Sequence, residues 1–520
     1  MAGALALAGV ASGAVGALTY EGCLTGEYES SGAAATAKGG GAMQSLACAG
    51  VPLISSGGIG TGMNSPQAMA IGPNGKSIYF VAAGDDAIAH VRRRRSGALD
   101  LLECFTGDSQ IVATAKRGTF TGPCEAIPDA NPGGNESALF DARGLTISPD
   151  GSSVYALGDE NDSLVHFEAN PRSGRLSYKG CLTANLALGP AGTGACNLIP
   201  TASVNAFDSG FKASQVGVVS DRGDWLYATS ASDSAIARFK RNARSGRLRF
   251  VDCLTAESET GPAGTDACEA MPGIAPDGVD SGFDSPREVA LSADGKSLYV
   301  GANADDSVMH FAVKRDGRLV RKRCVSGELA SAGDCALIAT ATGNGAGSGL
   351  DSPRGLALSP DGRSLYVAAR DDSAIAHLAR NPRTGKVAFK GCLSGDTTTG
   401  PGFTDACGLI PSATFQGIGS GLIGSGIAAS ADGRSVYALS ESDGIARLNR
   451  RRGGALAYRG CFTGDSDLSA VCTPIASAAP GGADSGVDNA AALAVSPNDS
   501  DLYLIASSDD AVARFSRETR

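Results

Sequence analysis

A tyrosine recurs seven times along this 520-residue chain, at Tyr79, Tyr155, Tyr227, Tyr299, Tyr366, Tyr437 and Tyr503, with gaps of 76, 72, 72, 67, 71 and 66 residues. Self-similarity at a nearly fixed period means that one supersecondary unit is copied and that each copy buries its neighbours' faces. Before each tyrosine stands a turn such as "SPDG" (148–151 and 359–362), "SADG" (292–295 and 430–433) or "GPNG" (72–75). Ser, Pro, Asp and Gly in that order suit the four positions of a type I turn. Short apolar runs flank it, for example "GLALS" before and "SLYVAA" after, and their length suits buried strands better than helices. An Asp-rich turn and a third strand follow ("AIAHV", "LVHFE", "AIARF"), then a glycine turn and a fourth strand ("RLSYKGC", "RLRFVDC", "KVAFKGC").

The seventh copy is split. The chain stops at "VARFSRETR", directly after a third strand, whereas a fourth-strand sequence, "ALTYEGC", stands at Ala17–Cys23 near the amino terminus. A unit completed by the opposite terminus predicts a closed ring. The expected fold is therefore all-β: a seven-bladed β-propeller of four antiparallel strands per blade, closed by an N-terminal outer strand that completes the C-terminal blade. The expected organisation is a signal-peptide-like segment over residues 1–16, truncated if an upstream start was missed, and one propeller over 17–520. The first segment is apolar and uncharged but lacks a basic n-region.

The turn-and-strand combination resembles the lactonase-like and YVTN-type seven-bladed propellers, most fully in "SPDGRSLYVAARDDSAIAHLARNPRTGKVAF" from Ser359 to Phe389. The likeness runs over essentially the whole chain after Gly16. It implies a ligand at the channel mouth, where the first strands converge, and as one activity a lactonase-like hydrolase or lyase acting on a small anionic sugar or acid.

Each repeat carries one cysteine at the end of the fourth strand and one in the following loop. The pairs are Cys23 and Cys48, Cys104 and Cys124, Cys181 and Cys196, Cys253 and Cys268, Cys324 and Cys335, Cys392 and Cys407, and Cys461 and Cys472. No Cys-x-x-Cys occurs and the separations vary from 11 to 25, which suits local disulfides rather than zinc. Seven disulfides predict an oxidising, secreted setting, extracellular or periplasmic. A net charge of -10 argues against a nucleic-acid partner. The runs Arg92–Arg95 and Arg450–Arg452 fall at turns and are expected to be solvated. No stretch after the first residues is long and apolar enough to span a membrane.

Five residues before each turn stand Gln67, Arg143, Gln215, Arg287, Arg354, Ser425 and Ala491. Arginines and glutamines at one opening can hold a carboxylate or phosphate by paired hydrogen bonds. Gln67, Arg143, Gln215, Arg287 and Arg354 are accordingly the candidate ligand-binding residues. The alternative is that they bond to neighbouring loops and to aspartates such as Asp284 and Asp351. The weak catalytic candidates are Arg143, Arg287, Glu288 and Arg354; Glu288 can serve as a base, but strand alternation puts it on the face opposite Arg287. All four histidines (His90, His166, His310 and His377) share one repeat position with Arg238, Arg447 and Arg514, a structural pattern that leaves none for the channel. Asp-rich turns suit calcium in principle but more often make local hydrogen bonds; no metal and no cofactor is expected. The sequence holds no complete catalytic set. It predicts a monomeric binding or scaffold protein for a small anionic ligand or an extracellular protein, with the lactonase-like enzyme as the alternative.

Overall fold

The computed structural model describes residues 15–27, 48–111, 124–190, 192, 194–330, 335–399, 406–417, 419–422, 424–440 and 443–519. The signal-like segment lies almost wholly outside the described residues. Seven sheets are present, and each contains five strands rather than the four expected. In the second blade the order from the channel outward is Ala142–Ile147, Ser153–Gly158, Ser163–Ala169, Leu176–Asn185 and Asn197–Ser203. The first four are antiparallel neighbours, and the fifth, outermost strand runs parallel to the fourth. This extra strand is the loop segment that carries the second cysteine.

The split blade forms as its sequence requires. Leu18–Glu27 pairs antiparallel with Ala511–Arg517, from Leu18 opposite Arg517 to Thr25 opposite Ala511, and Cys48–Ser55 lies outside it. The innermost strands contact one another in sequence around the ring, including Ala490–Val495 with Pro66–Ile71.

The core lies between blades. Every second strand is buried along its whole length save for half-buried Trp225 at the start of one, because a neighbouring blade covers each of its faces. One apolar cluster joins Tyr79, Val81 and Ile88 of the first blade to Val154, Val165 and Phe167 of the second; another joins Leu24, Tyr503 and Val512 of the last to Ile78 and Phe80 of the first. The repeated tyrosine owes its place to this seam. Its hydroxyl donates to the carbonyl of the turn glycine of the next blade: Tyr79 to Gly174 (2.7 Å), Tyr155 to Gly246 (2.5 Å), Tyr227 to Gly317 (2.8 Å), Tyr299 to Gly385 (2.5 Å), Tyr366 to Gly454 (2.7 Å) and Tyr437 to Gly16 (2.8 Å). Four of these hydroxyls also accept from the Nε of an arginine that ends the third strand of the following blade: Arg241, Arg380, Arg450 and Arg517. Arg450 is thus part of a seam and not only a solvated turn. Arg93 likewise pairs with buried Asp501, whereas Arg92 and Arg94 bridge exposed to Asp100.

All seven predicted disulfides form, with Cα separations of 4.4 to 4.8 Å. Each ties the fourth strand to the first residue of the fifth strand of the same sheet or to the residue just before it. Bridges closing loops of this size contribute about 2–4 kcal/mol each in the chain-entropy picture, and they fit an oxidising compartment. Among the described residues no helix is long and apolar enough to cross a membrane.

Replacing Tyr155 with Phe leaves the Gly246 carbonyl and the Nε of buried Arg241 without this partner. The expected loss is about 1–3 kcal/mol, read by urea unfolding under oxidising conditions; an unchanged midpoint would contradict the seam assignment.

Candidate functional site

The expected mouth residues owe their position to a repeated irregularity in the innermost strands. In the fourth blade Pro286 faces Ala302 and Glu288 faces Gly301, so Arg287 is the extra residue of a bulge. Gln67, Arg143, Arg354 and Ala491 occupy the same place in their blades. A bulge leaves its extra residue outside the ladder and re-aims its side chain, and proline, which has no N–H to lose, suits the start of such a strand. Gln67, Arg143, Gln215, Arg287, Glu288 and Arg354 all line one polar cavity of about 540 Å³ at the centre of the ring, with Asn489, Ala491 and Ser507. That volume is within the usual range for a small-molecule site. The side chain of Ser425 lies outside the described residues.

The bulge corrects the strand-alternation expectation. Arg287 and Glu288 are consecutive, yet both face the cavity, because period two fails where the register shifts. A sequence signal for Glu288 was present: the corresponding residues are Ala68, Gly144, Val216, Gly355, Gly426 and Ala492. Space explains those small residues. A Cβ on Gly144 would stand 2.2 Å from the Gln215 carbonyl oxygen, and one on Gly355 3.1 Å from the Ile427 side chain.

Hydrogen bonds connect one side of the mouth. Arg143 Nε donates to Asp141 (2.8 Å) and lies 3.5 Å from Asp159; Gln215 Nε2 donates to Asp159 (2.9 Å); Arg287 Nη1 donates to Gln215 Oε1 (2.7 Å) and its Nε to Ser285 (3.1 Å). Gln67 bonds Ser65 at 2.9 Å. Neighbouring loops thus supply partners, as the alternative reading has it, but the aspartates are Asp141 and Asp159 rather than Asp284 and Asp351: Asp284 accepts from Ser234 Oγ at 3.3 Å, and Asp351 faces Asp306. Arg354 differs from the other two arginines. Its Nε is buried and has no hydrogen-bond partner among the described residues. Burial and the nearby Arg287 and Arg370 guanidiniums lower its pKa. Glu288 is half-buried and lines the same cavity; burial pushes its carboxyl up to about 8, against the pull of Arg354. Near neutrality the carboxyl is mostly protonated, so it does not cancel the guanidinium charge, and it can donate a hydrogen bond.

The four histidines are buried on the third strands, each stacked on a blade tyrosine at centroid distances of 4.8 to 5.4 Å, away from this cavity. The Asp-rich turns clamp backbone. Asp85 accepts from the N–H groups of Gly60 and Gly62, Asp233 from Gly210, Phe211 and Lys212, and Asp509 from Asp484, Gly486 and Asp488. Asp208, Asp233 and Glu257, and likewise Asp280, Asp305 and Glu328, bring carboxylate oxygens within 4.8 Å of one another, but Asp233 and Asp305 already serve as backbone acceptors.

Residues 342–394 match a family model described as "Lactonase, 7-bladed beta-propeller", a span that includes the motif-rich stretch from Ser359 to Phe389. No curated protein sequence matches the chain. Similar solved structures include the periplasmic gluconolactonase PpgL of Pseudomonas aeruginosa (16% identity, 76% of this chain and 85% of that one, TM-score 0.45). The hydrazine synthase of Kuenenia stuttgartiensis gives 11%, 88%, 97% and 0.48, and the Cps50 (Swd1) β-propeller domain of Myceliophteria thermophila 9%, 87%, 96% and 0.48.

A carboxyl that ionises near 8 has a direct readout. The ¹³C chemical shift of the Glu288 carboxyl should titrate with a midpoint near 8, and the transition should vanish in Glu288→Gln; a midpoint below 5 would contradict the burial argument.

Proposed function

We propose that the protein is a secreted propeller that binds a small anionic ligand, a carboxylate or phosphate ester, at the channel mouth. The observation that carries this reading is Arg354: a guanidinium whose Nε is buried in a polar cavity without an acceptor. An unpaired buried donor is costly, and an anionic oxygen at that point supplies the missing acceptor. Arg287 and Arg143, already oriented by Gln215, Asp141 and Asp159, supply further positive charge, and the protonated Glu288 supplies a donor. The disulfides support secretion, because such bridges persist in oxidising compartments.

A second reading keeps the same residues and adds turnover. The family match over residues 342–394 favours a lactonase-like hydrolase. Arg354 and Arg287 would stabilise the developing oxyanion, and Glu288, with its pKa near 8, would move a proton. The family match alone does not assign an activity, since function resides in the site.

Calorimetry with gluconate, gluconate 6-phosphate and their lactones separates the readings. Binding of the open acids should weaken by about tenfold or more in Arg354→Ala, and should also weaken as pH rises through about 8, where Glu288 gains negative charge. Lactone consumption abolished by combined Arg143→Ala, Arg287→Ala and Arg354→Ala would establish the enzyme. Absence of any anion binding would overturn both readings.

A further inference from the structure

Four of the loops that lead from a fifth strand to the next innermost strand carry large apolar side chains into solvent. Val204 is 68% exposed and Phe207 57%, in the loop between the second and third blades; Val279 is 52% exposed between the third and fourth, beside Ile274 (37%) near the end of the third blade's fifth strand. Ile59 and Phe415 occupy corresponding turns elsewhere in the ring, both 63% exposed. These turns are held firmly. Each is one turn of 3-10 helix with a left-handed central residue, Asn205 in one and Asp277 in the other. The hydroxyl of Ser203 donates to the Phe207 carbonyl at 2.6 Å. Buried Asp233 fixes the backbone N–H groups of Gly210, Phe211 and Lys212, and Asp305 those of Asp280, Phe283 and Asp284. Large apolar groups displayed on a rigid frame lose little entropy on contact, which is the property of interface anchors.

The two loops belong to one surface. The cysteine loop of the third blade joins them: Thr265 donates to the Asp208 carbonyl at 2.9 Å, and Glu259 accepts from the backbone N–H of Asp277 at 3.0 Å. Its charge is predominantly negative. Asp208, Glu259, Asp266, Asp277 and Asp280 stand around the four apolar residues. The cation described among them is Lys212, whose ammonium lies 3.0 Å from the centre of the Phe207 ring. The patch therefore already holds a cation in the way an aromatic face at an acidic site does.

We infer that this surface, distinct from the channel mouth, docks a cationic amphipathic polypeptide: apolar side chains cover Val204, Phe207 and Val279 while lysines or arginines meet the acidic rim. Apolar burial supplies affinity, and the rim sets association rate and partner sign. An acidic partner or an anionic lipid surface is repelled by the same rim.

The test uses the full-length, disulfide-bonded protein and a synthetic helical peptide with one leucine face and one lysine face, with a glutamate-for-lysine version as control. The lysine peptide should bind, and its affinity should fall by about tenfold or more in Val204→Ser/Phe207→Ser/Val279→Ser. It should also fall on raising salt from about 0.05 M to 0.5 M. Glu259→Gln/Asp277→Asn/Asp280→Asn should weaken binding and flatten the salt dependence. Because all six positions are on the surface, unfolding transitions report whether either variant is destabilised. Equal binding to the triple-serine variant, binding of the glutamate peptide, or no binding would overturn the inference. So would dimerisation of the protein that the serine variant abolishes, since a second copy would then cover the patch.

Discussion

Six of the seven seams between blades are held by a buried tyrosine hydroxyl that donates to a turn glycine in the following blade, and the rest of the ring depends on that contact; at the seventh, where the Tyr503 hydroxyl makes no such bond, Arg93 pairs with buried Asp501 instead. The pairing from Tyr79 to Gly174 is repeated around the circle and ends with Tyr437 reaching Gly16 near the chain's other end. Gly16 has φ +82, and a Cβ there would stand 1.9 Å from the Ser435 hydroxyl, so the closing contact requires glycine. A second set of contacts crosses the same seams. Asp86, Asp162, Asp306, Asp443 and Asp510 each accept, at 2.6 to 3.0 Å, from the backbone N–H of a left-handed residue in the next blade: Asp141, Ala213, Ser352, Asn489 and Ser65. Left-handed backbone at residues with side chains persists where surrounding structure enforces it. Two residues further on stand Arg143, Gln215, Arg354, Ala491 and Gln67, so seam and mouth are mechanically one feature.

The disulfides act on the outer rim. The segments after the fourth strands are rich in glycine and small residues and have little apolar surface to bury, so the bridge holds the fifth strand against the fourth. The bridge also receives the loop that leads into its own blade. In the third blade a Cβ on Gly210 would stand 2.2 Å from Cys268 Sγ, so close approach of that loop needs glycine. Rim and seam thus secure the loops from two sides, which leaves their tips to present side chains without moving.

Much of this was legible in the sequence, and the reasons differ by element. The tyrosine period gave the number of blades, because a seam residue must recur with every seam. The displaced "ALTYEGC" gave the closure, and the cysteine spacing gave all seven pairs. The fifth strand escaped notice because segments such as "NLIPTAS" contain proline and small residues and pair parallel, which no hairpin turn announces. The mouth residues were found by their common offset from the turn, but the face of Glu288 was not, since period two holds only where the ladder is regular. Asp284 and Asp351, named as examples of partners for the mouth residues in the alternative reading, have carboxyls that face across a seam instead.

The central claim is that one sheet is shared by both chain ends and that this closure fixes the mouth. Hydrogen–deuterium exchange over residues 18–25 and 511–517 tests it most directly. Shared pairing from Leu18 to Thr25 predicts that the two segments are protected to the same depth and lose protection together on denaturant. Exchange of 18–25 at the rate of an open chain while 511–517 stays protected would contradict it.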